Sequence, residues 1–145
     1  MIFLDTSFLY ALVDKDDENH AQVREIFERE QGKQLSDFVL TTNHVLSETL
    51  TMLRVCGKRD DRFRHERAVQ MGQQLYAGTW GRLHQVTPEE ERAAFEYFTK
   101  YADKEYSFVD CVSFVLMEKL GIQVAWTTDG DFNHRFQAVP GPHPK

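Results

Sequence analysis

Hydrophobic positions fall into short β-type runs separated by longer stretches with helical spacing, and the alternation continues along the whole chain. Ile2-Phe3-Leu4 reads as a short buried strand ending at Asp5. Thr6 or Ser7 can cap a helix carrying Phe8, Leu9, Leu12 and Val13. Ala21, Val23, Ile26 and Phe27 mark an amphipathic helix over His20–Arg29, stopped by Gln31-Gly32-Lys33. Phe38–Thr42 is β-rich, and Asn43 reads as the cap of a helix running to about Cys56, where Gly57 ends it. A helix over Glu66–Tyr76 precedes breaks at Gly78 and Gly81, and Leu83–Val86 reads as a third strand. Thr87-Pro88-Glu89-Glu90 combines a cap, a proline at the first helical position and acids in the first turn, opening a helix to about Tyr101. Ser107-Phe108-Val109-Asp110 has capping-box spacing with aspartate in the third slot, and Gly121 ends the helix it opens. Ile122–Thr127 is a fourth strand. Gln137–Val139 reads as a short last one before a Pro/Gly-rich tail, about 140–145, expected to be flexible.

Strands separated by helices require crossover connections, so the pattern predicts an α/β fold with a mostly parallel sheet covered on both faces. No repeat or linker interrupts it, and 145 residues suit one domain, 1–145. Ligands of such sheets bind beyond the carboxyl ends of the strands, where Asp5 and Asp129 fall. No apolar run approaches a membrane span and Met-Ile-Phe-Leu-Asp is no secretory leader, which predicts a cytoplasmic protein. Two cysteines, Cys56 and Cys111, make neither a disulfide framework nor a zinc site.

The formal charge of −6 argues against a protein that coats nucleic acid with a broad positive face. The informative charges are acids in apolar surroundings. Glu48 lies within Val45–Leu53, and Asp110 within a segment apolar almost all round. Taken singly, Asp110 reads as a helix cap and Glu48 as one charge on a solvated face. Together with Asp5, Asp129 and Asp131 they suggest converging carboxylates, which repel unless some are protonated or a divalent cation sits among them. An all-oxygen set suits Mg²⁺ or Mn²⁺, and no His/Cys pattern calls for zinc.

These residues carry a resemblance. Met-Ile-Phe-Leu-Asp5-Thr6-Ser7, then Glu48, then Ser107-Phe108-Val109-Asp110, then Thr127-Thr128-Asp129-Gly130-Asp131-Phe132 match in order the acidic motifs of PIN-domain ribonucleases. The chain is most similar to the small VapC-type toxins of prokaryotic toxin–antitoxin pairs. The resemblance implies a three-layer α/β/α domain and a metal-dependent endoribonuclease that hydrolyses RNA phosphodiesters to leave a 5′-phosphate and a 3′-hydroxyl. It implies Asp5, Glu48, Asp110 and Asp129 as the catalytic, metal-binding acids, with Asp131 substituting or assisting. Thr6 and Ser107 would support them by hydrogen bonding. It also implies Mg²⁺ or Mn²⁺ as cofactor, a homodimer, and a cognate antitoxin as partner.

Other signals are weaker. Lys58, Arg59, Arg62 and Arg64, with Phe63 for stacking, form the densest basic patch and are the candidate RNA contacts; otherwise they are a solvated turn. Asp14-Lys15-Asp16-Asp17-Glu18 lacks the glycine of a calcium loop, since Asn19 stands there, and reads as a solvated helix start. His44, one turn before Glu48, could reach that carboxylate or a phosphate. His134 or Arg135 could face a substrate. Two rivals remain. One is a phosphatase-type hydrolase with Asp5 as nucleophile, although Ser7 occupies the place of the second acid such enzymes want. The other is a non-catalytic metal- or nucleic-acid-binding module.

Overall fold

A computed structural model describes residues 1–144. Five strands, β1 (Ile2–Leu4), β2 (Val39–Thr42), β3 (Arg82–His84), β4 (Val124–Thr127) and β5 (Gln137–Pro140), form one parallel sheet in the order β3-β2-β1-β4-β5. Six helices join them: α1 (Thr6–Val13), α2 (His20–Glu28), α3 (Asn43–Val55), α4 (Asp61–Tyr76), α5 (Pro88–Lys100) and α6 (Phe108–Leu120).

The chain steps outward from β1 through β2 to β3, then returns across the sheet to β4. With right-handed crossovers, that reversal puts α1–α4 on one face and α5 and α6 on the other. The contacts agree: α1 packs on α2 and α3, α3 packs on α4, and α5 packs on α6. The strand order therefore switches between β1 and β4, opening a crevice beyond their carboxyl ends. In register, Phe3 of β1 stands between Leu40 of β2 and Ala125 of β4. Phe3, Phe8, Phe114 and Phe132 are fully buried, and Trp126 stacks on Phe8 with centroids 5.1 Å apart.

Local chemistry explains where elements begin. Both halves of a capping box are formed at Thr87/Glu90 and at Ser107/Asp110. Gly121 closes α6 in the left-handed region at φ 68°. Gly81 is obligatory for a steric reason: a Cβ there would stand 2.9 Å from Cγ1 of Val39 and 3.0 Å from its carbonyl oxygen.

Boundaries differ from expectation where side chains compete for backbone groups. Asp5, not Thr6 or Ser7, is the cap residue of α1. Thr42 caps α3 by accepting from the Val45 N–H, while Asn43 instead accepts from the Val86 N–H at 2.9 Å. That bond turns the chain out of β3 after His84. α4 starts at Asp61, five residues before the expected Glu66, because Asp60 accepts from the Phe63 N–H and Asp61 adds an acid to the first turn. Leu35–Asp37 forms an unexpected 3-10 turn before β2. Pro140, assigned to the tail on composition, pairs with Thr127 in β5, and the N–H of the buried Gly141 donates to the Thr127 carbonyl at 3.0 Å. An edge strand tolerates that proline because its missing N–H can face away from the ladder. Lys145, the last residue of that segment, lies outside the described residues.

Candidate active site

β1 ends at Leu4, and the Asp5 N–H donates to the Trp126 carbonyl of β4 at 3.0 Å, fixing Asp5 at the switch point. Its carboxylate is buried, and Oδ2 accepts from the hydroxyls of Ser7 at 2.9 Å and Thr127 at 2.8 Å. Burial pushes its pKa up against those two donors. Past β4, Asp129 is held by an N–H bond to Oγ1 of Thr127, and its Oδ1 accepts from the Asp131 N–H at 2.9 Å. Its pKa is raised by burial, with the charges of Asp131 and Asp5 adding to the rise.

Asp110 enters from the other face of the sheet on the first turn of α6. Oδ2 accepts from the Ser107 N–H at 3.1 Å, while its own N–H donates to the Ser107 hydroxyl at 3.0 Å. Burial, then the charge of Asp5, then that of Asp129 push its carboxyl up to about 7 against the Ser107 bonds. Asp110, Asp129 and Asp131 each offer one carboxylate oxygen, and these three oxygens lie within 4.8 Å of one another.

Glu48 borders the same crevice from α3. Its pKa is raised chiefly by burial and then by Asp5 and Asp129, opposed by the Thr6 hydroxyl. Thr6 holds α1 against α3, donating to the Val45 carbonyl at 3.3 Å and accepting from Thr49 at 3.2 Å. The expected acids therefore meet in one place, with a division: Asp110, Asp129 and Asp131 make the close set, Asp5 adjoins it and acts on Asp110 and Asp129 through charge, and Glu48 borders it and is acted on by Asp5 and Asp129. Sequence reading missed Ser7 and Thr127, whose hydroxyls hold Asp5. Their only signal was adjacency to the first and last acidic motifs.

The other expected residues lie elsewhere. Lys58, Arg59, Arg62 and Arg64 stand at the far end of α3, roughly 12 Å along its axis from Glu48 at 1.5 Å per residue. Arg62 pairs with Glu66 at 3.1 Å, and Arg64 reaches the Gly57 carbonyl and lies 3.8 Å from Asp61. Both are thus engaged within the chain. Arg59 and Arg67 lie over the Phe63 ring, 4.0 and 4.9 Å from its centroid, and line a cleft of about 290 Å³ with Tyr10 and Leu53. His44 bonds Glu91, not Glu48, at 3.2 Å. His134 bonds the Tyr97 hydroxyl and the Asp131 carbonyl, and Arg135 pairs with Glu118, so neither is free for a substrate. Cys111 is buried with its thiol raised to about 11, which makes it a small core residue and not a nucleophile. Among the described residues no helix is long and apolar enough to cross a membrane.

Comparison with known proteins agrees with this arrangement. Residues 2–135 match the family model of the PIN domain. The 23S rRNA-specific endonuclease VapC20 of Mycobacterium tuberculosis is 38% identical over 134 residues, 92% of each chain. The crystal structure of M. tuberculosis VapC20, described as a sarcin–ricin loop cleaving toxin, superposes with a TM-score of 0.77 at 36% identity, covering 92% of this chain and 94% of that one. FitAcB from Neisseria gonorrhoeae shares the fold, with a TM-score of 0.65 at 18% identity over 95% of this chain and 96% of that one. With the family model matched over nearly its full length and a VapC toxin as a relative along almost the same span, the chain belongs to the PIN-domain family, among its VapC-type members.

Proposed function

We propose that this protein is a Mg²⁺- or Mn²⁺-dependent endoribonuclease and the toxin of a toxin–antitoxin pair, working in the cytoplasm as a homodimer held in check by a cognate antitoxin. The observation that carries the reading is the set of three carboxylate oxygens within 4.8 Å at the sheet's switch point, with the buried Asp5 beside them. The donor set fits a hard divalent cation: every donor is a carboxylate oxygen, and burial, with repulsion from neighbouring acids added, raises the pKa of Asp110 and Asp129, a cost that such an ion offsets.

Asp110, Asp129 and Asp131 would hold the ion, with the buried Asp5 beside them, its Oδ2 held by Ser7 and Thr127. When bound, such an ion supplies charge neutralisation at the scissile phosphate and a more acidic water. Glu48 orients the attacking water by accepting its hydrogen bond, and Thr6 keeps α3 at the distance this requires. Ser107 fixes Asp110 twice, its backbone N–H donating to the carboxylate and its hydroxyl accepting from the Asp110 N–H. Lys58 and Arg59 contact the RNA backbone further along the strand, with Arg62 and Arg64 secondary because they already have partners. The relative's substrate makes the sarcin–ricin loop of 23S rRNA the first RNA to test.

The phosphatase reading is disfavoured by Ser7, which donates to Asp5 where a second acid would be needed to protonate a leaving group. Incubating labelled 23S rRNA fragments with and without Mn²⁺ tests the proposal. Internal cuts with 5′-phosphate ends, lost in Asp5→Asn, support it. A stable aspartyl-phosphate supports the phosphatase, and intact RNA beside tight metal binding supports a non-catalytic module.

A further inference from the structure

Three rings from three helices meet beside the acid crevice. His44 stands one turn before Glu48 on the same face of α3, about 6 Å along the axis. Its imidazole meets the Phe108 ring edge-on at 5.9 Å, and Phe98 of α5 meets Phe108 in the same manner at 6.3 Å. Phe108 is the first residue of α6 and shares its opening turn with Asp110. Glu91 holds the outer nitrogen of His44. Phe98 remains 44% exposed and lies outside the core, so packing does not account for its ring.

An enzyme that cuts RNA at these acids must also hold the nucleotides flanking the cut. A lysine or arginine placed against the carboxylates would pair with them and compete with the cation, and the densest basic patch lies at the far end of α3. Stacking needs no charge, every base offers a π-face, and unstacked loop bases are what single-stranded RNA presents.

We propose that Phe108 and Phe98 form a stacking platform for a nucleobase next to the scissile phosphate, with His44 buttressing Phe108 from behind. This rests on the nuclease reading and adds positioning residues to it. His44 acts through Phe108 and touches no reacting atom.

The test uses a hairpin RNA with 2-aminopurine in its loop, presented to the whole protein. Cleavage is followed with Mn²⁺, and stacking is followed as fluorescence quenching in an Asp5→Asn background that does not cut. Phe98→Ala should raise KM about tenfold, the effect of one lost stacked base, with kcat changed less and quenching diminished. Phe108→Leu should do the same, and Phe98→Trp should restore both readouts. Phe95→Ala should change neither, because Phe95 is one turn away on α5, 61% exposed, and its ring is not among those meeting at Phe108. Wild-type quenching and KM in Phe98→Ala would overturn the platform. Equal losses in Phe95→Ala and Phe98→Ala, with a fall in solution mass, would overturn it in favour of a protein-association surface. A wild-type protein that cuts no RNA would count against the nuclease reading, and the quenching comparison would still decide the platform.

Discussion

The hydroxyl oxygens of Ser7 and Thr127 lie 2.9 Å apart across 120 residues of chain, and both donate to the same oxygen of Asp5. Each hydroxyl has one proton and each is directed at Oδ2, so their closeness to one another is imposed by Asp5. As acceptors they take the N–H groups of Thr128 and Asp129, which ties the loop after β4 to the end of β1. The separation between the first and last acids is thereby set by two small side chains.

Thr127→Val keeps the shape of that clasp and removes its donor. Asp5 should become harder to ionise and the Asp129 loop less well held. Mn²⁺ affinity should fall by about 10- to 100-fold, the usual cost of losing a group that orients a metal ligand, and cleavage should fall in parallel. Calorimetric Mn²⁺ titration of the variant checks this, with Ser7→Ala expected to show a smaller loss.

Asp110→Asn retains an oxygen to accept from Ser107 and deletes a charge from the acid cluster. Cleavage should drop below about 1% of wild type. The metal-free protein should melt several degrees higher, because the substitution relieves repulsion in a site shaped for function. Differential scanning calorimetry in a chelating buffer reads the second effect, and a lower melting temperature would contradict it.

The same carboxyl predicts a pH profile. Its folded value, about 7, exceeds its unfolded value near 3.8, so between those limits the folded state binds more protons than the unfolded chain. Stability of the metal-free protein should therefore decline as pH rises from about 4 to about 7 and then level off. Mn²⁺ affinity should climb over the upper part of that range, because binding must displace the proton. Denaturant melts at stepped pH, with and without Mn²⁺, test both trends.

Glu90 shows the opposite sign. It is buried and opposed by that burial, yet the Thr87 N–H, His84 at 2.8 Å and Lys119 at 3.0 Å hold its carboxyl down to about 2. Its contribution is complete above about pH 4.5 and is lost as pH falls toward 2. Glu90→Gln should cost about 1–3 kcal/mol by leaving part of that network unpaired, measured by urea unfolding at neutral pH, with cleavage by the folded fraction unchanged.

Basic residues should separate by their present partners. Arg59→Ala should reduce the slope of log affinity against log salt by about 1, whereas Arg62→Ala, already paired with Glu66, should change it little. RNA binding across a salt series distinguishes them.

Much of this was legible in the chain. Alternation of short apolar runs with helical ones predicted the parallel sheet, and capping signals placed the starts of α5 and α6 to the residue. The acids at strand ends were legible because ionised groups seldom sit in apolar runs without a partner. Two features were not. The earlier start of α4 depended on Asp60 acting as a cap within what read as a basic loop. The diversion of Asn43 to Val86 is a contact across 43 residues that no local pattern encodes. Asp131, already read as an acid that substitutes for Asp129 or assists it, offers a carboxylate to the close set with Asp110 and Asp129, on a loop folded by its own backbone N–H.

Because β1 sits at the centre of the sheet while its neighbour β4 is made last but one, the acid crevice depends on a partner synthesised some 120 residues later. During translation the N-terminal strand, with Asp5 and the α1–α4 layer, emerges first and carries one wall only. The opposing wall arrives when the segment through Asp131 clears the ribosomal tunnel. Until then the chain holds Asp5 and Glu48 without Asp110, Asp129 and Asp131, so the acid set is complete only once both halves of the sheet have paired.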